Sequence, residues 1–162
     1  MTGGRADLPT VIRWAREAEE AGFDSVMISE HIVLGPDAGA NGVMGNPRDY
    51  ALPGNQDPRT PWPNSLMLLS AIAAVTDRLR LAASAVIAPL RHPLLLAREL
   101  GTLDLLSEGR LIVLPNVSWS RDEYAALNVP FVRRGKLLDE HLEIWAKLWG
   151  PSPVSHESEY YT

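Results

Sequence analysis

Three short apolar runs, "FDSVMIS" (23–29), "RLRLAASAVIA" (78–88) and "RLIVL" (110–114), are separated by segments whose apolar residues recur at helical spacing. Such alternation is the signature of βαβ units, in which parallel strands are covered by the helices that connect them. The first run is so apolar that it is expected to be covered on both faces, as in a parallel sheet. The predicted class is therefore α/β with a parallel sheet.

The helical segments have readable ends. Asp7, Leu8 and Pro9 open the first, since Asp caps free amides and Pro is tolerated in a first turn; Leu8, Val11, Ile12, Ala15 and Ala18 then recur until Gly22 stops it. "SLMLLSAIAAVT" (65–76) is capped by Asn64 or Ser65, and "PLLLARELGTLDLLS" (93–107) begins at Pro93 and closes at Gly109. "RDEYAALN" (121–128) reads as a short helix. "RRGKLLDEHLEIWAKLWG" (133–150) reads as a long one, with Leu137, Leu138, His141, Ile144, Trp145, Leu148 and Trp149 on one face and Gly150-Pro151 at its end. Between residues 32 and 63 the density of Gly and Pro predicts a long irregular loop, of the kind that usually binds or covers a site. Three strands leave two sheet edges in need of a partner or cover, and the closing "PVSHESEYYT" is extended in character.

At 162 residues the chain is expected to form one domain over 1–162, burying roughly 70% of its unfolded surface. A net charge of −5 with scattered Lys and Arg provides no basic stripe, so no nucleic-acid partner is expected. No apolar run is long enough for a membrane helix, and the N-terminal stretch has no secretory character. With no cysteine in agreement, a cytoplasmic location is expected. His31, His92, His141 and His156 are far apart and fit no zinc spacing, so no metal is expected.

The ordered segments "AREAEEAGFDSVMISEH", "DPRTPWPNSLMLLSAIAAVTDRLRLAASAVIAPLRHPLLLARELGTLDLLSEGRL" and "SWSRDEYAALNVPFVRRGKLLDEHLEIWAKLW" closely resemble the bacterial luciferase-like superfamily, from about residue 8 to 162. Within it the nearest look is the coenzyme F420-dependent oxidoreductases, with FMN-dependent monooxygenases as the sister group. Members of this superfamily are (β/α)8 TIM barrels, a fold of typically about 250 residues or more. The resemblance implies that this chain supplies half a barrel: the helix after the first strand, then strands two to four with their helices. On that resemblance, the first strand and the C-terminal half, which helps bind the cofactor phosphate, are expected to lie outside it. The implied activity is hydride transfer between a deazaflavin and a small organic substrate. The alternatives are monooxygenation with FMN, or a non-catalytic half-barrel that self-associates. A homodimer is expected.

Site residues follow from strand ends, where barrel enzymes place their chemistry. "SEH" (29–31) ends the first run; the resemblance makes His31 catalytic beside the ring, suited by an imidazole pKa near neutrality, and puts Glu30 in the cofactor site. Alternatively Glu30 and His31 are a hydrogen-bonded pair that orients the loop. "ASAVIAP" (83–89) offers small residues to a flat ring; relatives have a non-proline cis peptide here, which the resemblance places at Ala85–Val86, with both residues against the cofactor. Arg91 and His92 in "PLRHP" are either an anion contact or a cap and brace. Where relatives have the Gly-rich "LGVGxGW", this chain has "VLPNVSW", so Leu114, Asn116 and Ser118 replace glycines. Asn116 and Ser118 retain hydrogen-bonding groups for a ring or ribityl chain, and Asn also tolerates left-handed backbone. Trp14, Trp145 and Trp149 are expected in core or interface, Trp119 beside the pocket, and "SRDEY" as a solvated helix start.

Overall fold

The computed structural model describes residues 7–35 and 62–161. The Gly- and Pro-rich loop expected over 32–63 therefore falls mostly outside the described residues. Five helices, α1 (Leu8–Glu20), α2 (Ser65–Ala73), α3 (Pro93–Leu106), α4 (Arg121–Ala126) and α5 (Arg134–Leu148), alternate with three strands, β1 (Ser25–Ile28), β2 (Arg80–Ile87) and β3 (Leu111–Asn116). The strands form one parallel sheet in the order β1-β2-β3, as the alternation predicts. The fold is a partial (β/α)8 barrel.

One layer of helices covers one face of the sheet. Ala15 of α1, Leu69 and Ile72 of α2, Leu96, Leu100 and Leu103 of α3 and Trp145 of α5 form a single buried cluster with Leu81, Ala83 and Val86 of β2. Val26, Ile28, Leu111 and Val113 from the flanking strands pack against it. Among the described residues nothing covers the opposite face, where Met27, Ile112 and Leu114 are exposed, so β1 is covered on one face and not on both as expected. Trp145 is buried in the core; Trp149 is exposed because the core-facing stripe of α5 passes through Leu137, His141, Ile144 and Trp145, and Trp14 is exposed on α1.

Charged side chains close the lower end of the sheet. Glu19 accepts the amides of Asp77, Arg78 (2.6 Å) and Leu79 (2.7 Å), capping the turn into β2. The Arg78 amide leads the other two in holding this carboxyl below the usual carboxylate range, against the opposing effect of burial. Arg110 donates to Ser107 O, Thr76 Oγ1, Leu79 O and Ala73 O, joining the ends of α2 and α3 to the starts of β2 and β3.

Several local expectations shift. Asp7 stands at the N-terminus of α1, but its carboxylate takes the Thr10 hydroxyl instead of a backbone amide. Asn64 caps α2 through Met67 N, and Gly22 (φ +87°) makes the left-handed exit from α1. β3 continues two residues further than expected, through Pro115 and Asn116. The terminal "PVSHESEYYT" folds back on α5: Glu140 accepts from His156 Nε2 (2.9 Å) and Ser158 Oγ, while Tyr161 packs edge-on against His92 and His141.

Candidate active site

The upper, C-terminal ends of the strands hold two separate polar constellations, and Glu30 and His31 belong to different ones. Their side chains are not paired with each other.

Glu30 turns inward. Its side chain is 2% exposed and meets the Arg91 guanidinium in a two-pronged ion pair, with both N–H···O distances 2.7 Å. Its oxygens also accept Ser65 Oγ (2.8 Å) and Ile87 N (3.0 Å). One carboxylate thus fastens the end of β1 to the end of β2 and to the starts of α2 and α3. It is committed to the scaffold, as is Arg91, the cation at the mouth of α3. His92 caps α3, its Nδ1 accepting Leu94 N.

His31 lies at the other constellation, with 11% of its side chain exposed. Nδ1 is 3.2 Å from Glu123 Oε1 on α4. Glu123 is fully buried and also accepts Ile32 N (2.7 Å) and Ser118 Oγ (2.6 Å). Burial pushes this carboxyl up, but the hydrogen bonds from His31, Ser118 and Ile32 outweigh it and leave it below the usual range. Trp62 packs edge-on against the imidazole at 4.8 Å and Trp119 at 5.6 Å, so Trp119 does adjoin His31. Trp62 Nε1 is enclosed and finds no acceptor among the described residues. Gly35 permits the chain after His31 to pass close to α4, since a Cβ there would fall 1.7 Å from Asp122 Oδ2.

The expectation for "SRDEY" is corrected here. Far from being solvated, Glu123 and Tyr124 are both fully buried, and the Tyr124 hydroxyl donates to Val117 O. The sequence contained one signal, the Ser-x-x-Glu spacing of Ser120 and Glu123, which ordinarily denotes a capping box. In this fold Ser120 makes no side-chain cap and Glu123 reaches across to His31 and Ile32 in the segment after β1 instead.

The remaining candidates divide by face. The non-proline cis peptide is Ser84–Ala85, one bond earlier than the expected Ala85–Val86. Ala85 is the residue skipped in the β2·β3 register, where Ser84 pairs with Leu114 and Val86 with Pro115. Val86 is fully buried under the helices, so its side chain cannot line the open face. Asn116 is exposed at the end of β3, and its Oδ1 accepts Ser118 N (2.8 Å). The left-handed residue is Ser118 (φ +59°) and not Asn116, which places it where relatives carry a glycine.

Small residues on β2, the bare inner sheet face and the imidazole at its rim fit the ring of a flavin-type cofactor. The phosphate end is a different matter, because Arg91 is occupied by Glu30. Among the described residues no cluster of acidic and histidine side chains is arranged to hold a metal ion, and no helix is long and apolar enough to cross a membrane.

A family model described as luciferase-like monooxygenase matches residues 1–162. An uncharacterized protein of Mycobacterium tuberculosis is 37% identical over 150 residues, covering 90% of this chain and 50% of its own length. Pyrimidine monooxygenase RutA of an Enterobacter species is 31% identical over 103 residues. Among solved structures, monooxygenase RslO1 of Streptomyces bottropensis superposes with a TM-score of 0.75 at 28% identity, over 95% of this chain and 40% of that one. The oxygenating constituent of 3,6-diketocamphane monooxygenase from Pseudomonas putida, solved with FMN, gives a TM-score of 0.76 at 24% identity. The chain spans about half the length of the first of these curated relatives. By its matched family model and its parallel half-barrel, this chain belongs to the luciferase-like monooxygenase family.

Proposed function

We propose that this chain forms the ring-binding wall of a flavin-dependent monooxygenase, with His31 as the polar group at the edge of the ring. The observation that carries the reading is His31 itself, fixed by a buried carboxylate yet partly exposed at a strand end. When bound, a reduced flavin would supply the electrons for oxygen insertion into a small organic substrate. The protein's part is to orient and shield. Ser84 and Ala85 leave room at the end of β2, Asn116 and Ser118 offer polar groups at the end of β3, and Trp62 and Trp119 keep water from the imidazole. His31 holds or accepts a proton next to the reacting centre.

FMN is preferred because the camphane monooxygenase and a structurally similar riboflavin lyase were solved with FMN or a modified form of it. Coenzyme F420 is the second reading, supported by the resemblance of the sequence to deazaflavin enzymes. Titrating the protein with FMN and with F420, and following quenching of tryptophan fluorescence, separates them. Binding of FMN alone is the expected result; preference for F420 moves the assignment to deazaflavin hydride transfer, and binding of neither overturns both.

The bare inner sheet face and the edges of β1 and β3 favour association with another copy. Light scattering coupled to size exclusion tests this, and a monomer at micromolar concentration refutes it.

A further inference from the structure

We propose that Glu123 is a positioning residue that keeps a hydrogen on Nδ1 of His31, so that Nε2 is the nitrogen through which the site exchanges a proton. The inference deepens the reading of His31 given above and rests on it.

Three donors converge on one buried carboxylate. Oε1 faces Ile32 N and His31 Nδ1, and Oε2 faces Ser118 Oγ. A carboxylate so surrounded is ionised at neutral pH, and an ionised carboxylate has only lone pairs to offer. At 3.2 Å, a bare Nδ1 would oppose its own lone pair to that negative oxygen, so Nδ1 must carry hydrogen. The same holds for neutral imidazole and for imidazolium. Only Nε2 differs between the two states, and it has no hydrogen-bond partner among the described residues.

The ring is held in place as well as in tautomer. Ile32 follows His31 directly, so the Ile32 N to Oε1 bond fixes the backbone beside the imidazole to the same oxygen that orients the ring. Trp62 and Trp119 meet the ring edge-on. Ser118 holds Oε2 and so fixes the plane of the carboxylate. It follows that neutral His31 can only accept at Nε2, which selects a ligand group bearing hydrogen on the facing atom, such as a hydroxyl or a ring N–H.

The test is the 15N spectrum of the full chain labelled at histidine, with long-range proton correlations that distinguish protonated from bare ring nitrogens. In its neutral form, wild-type His31 is expected to show a protonated Nδ1 and a bare Nε2. Ser118→Ala, which leaves Oε1 intact, is expected to keep that pattern. Glu123→Ala removes the acceptor from Nδ1 and is expected to shift most of the population to the opposite tautomer, whereas Glu123→Gln, whose amide oxygen must still meet Ile32 N, is expected to keep the wild-type pattern. A wild-type ring protonated mainly on Nε2, or a Glu123→Ala ring with an unchanged ratio, overturns the proposal; the wild-type spectrum decides even if the variant does not fold. Flavin titration of the same wild-type sample tests the functional reading separately, since the tautomer can be as stated whether or not FMN binds.

Discussion

Replacing Arg91 with Met removes both guanidinium donors from Glu30 while keeping most of the length of the side chain. The carboxylate is then left 2% exposed with two neutral donors, Ser65 Oγ and Ile87 N, and no cation. Removing one partner of a buried ion pair costs about 3–5 kcal/mol, most of it the penalty of an uncompensated charge. The Arg91 side chain retains 17% exposure and two hydrogen bonds to Glu30 survive, so the lower end, about 3 kcal/mol, is expected for Arg91→Met. Urea unfolding followed by tryptophan fluorescence and far-ultraviolet circular dichroism measures it by linear extrapolation. The double variant Glu30→Gln/Arg91→Met, which carries neither charge, is expected to recover at least about 1 kcal/mol of the loss. If Arg91→Met lowers stability by less than about 1 kcal/mol, the pair behaves as a solvated surface bridge and the bracing role assigned to Glu30 is wrong.

Acid should act on the lower end of the sheet and on the His31 constellation together. Glu19 and Glu123 both have lowered pKa values in the fold. Their stabilisation is therefore complete above the unfolded carboxylate value of about 4.3 and is lost as pH falls through the folded values. Unfolding free energy is expected to drop below about pH 4.5, and Glu19→Gln should flatten that drop; an unchanged slope would exclude Glu19 as a contributor. Ser118→Gly relieves a left-handed backbone worth about 1–2 kcal/mol but loses the hydroxyl that binds Glu123, so its stability should stay within about 1 kcal/mol of wild type, while Ser118→Ala, which keeps the strain, should be the less stable of the two by calorimetry. Burial pushes the Tyr124 phenol up to about 12, so ultraviolet titration should show a late ionisation step near that pH which Tyr124→Phe removes.

Much of the architecture was legible because it rests on periodicity and punctuation. The three apolar runs became β1, β2 and β3, Pro93 opened α3, and Gly22 made the turn out of α1. What escaped was decided by contacts distant in the chain. Glu123 lies 91 and 92 positions from its partners Ile32 and His31, and nothing in "SRDEY" marks an acid that will be buried. Likewise "SEH" shows two neighbouring polar residues but not that successive side chains diverge, sending Glu30 to Arg91 and His31 to Glu123. Val86 was misplaced for a related reason, since strand alternation alone cannot announce an irregular residue at Ala85.

That irregularity splits β2 into two phases. Below it the odd positions, Leu81 and Ala83, lie under the helices; above it the even position Val86 does so, followed by Ala88 just past the strand end. A single extra residue thus decouples the stem of the strand from its rim, much as an added beat shifts every later stress in a line. Substitutions in the stem and at the rim obey opposite parity rules. Deleting Ala85 would merge the two phases into one regular alternation, with Val86 following Ser84 directly and still facing the helices.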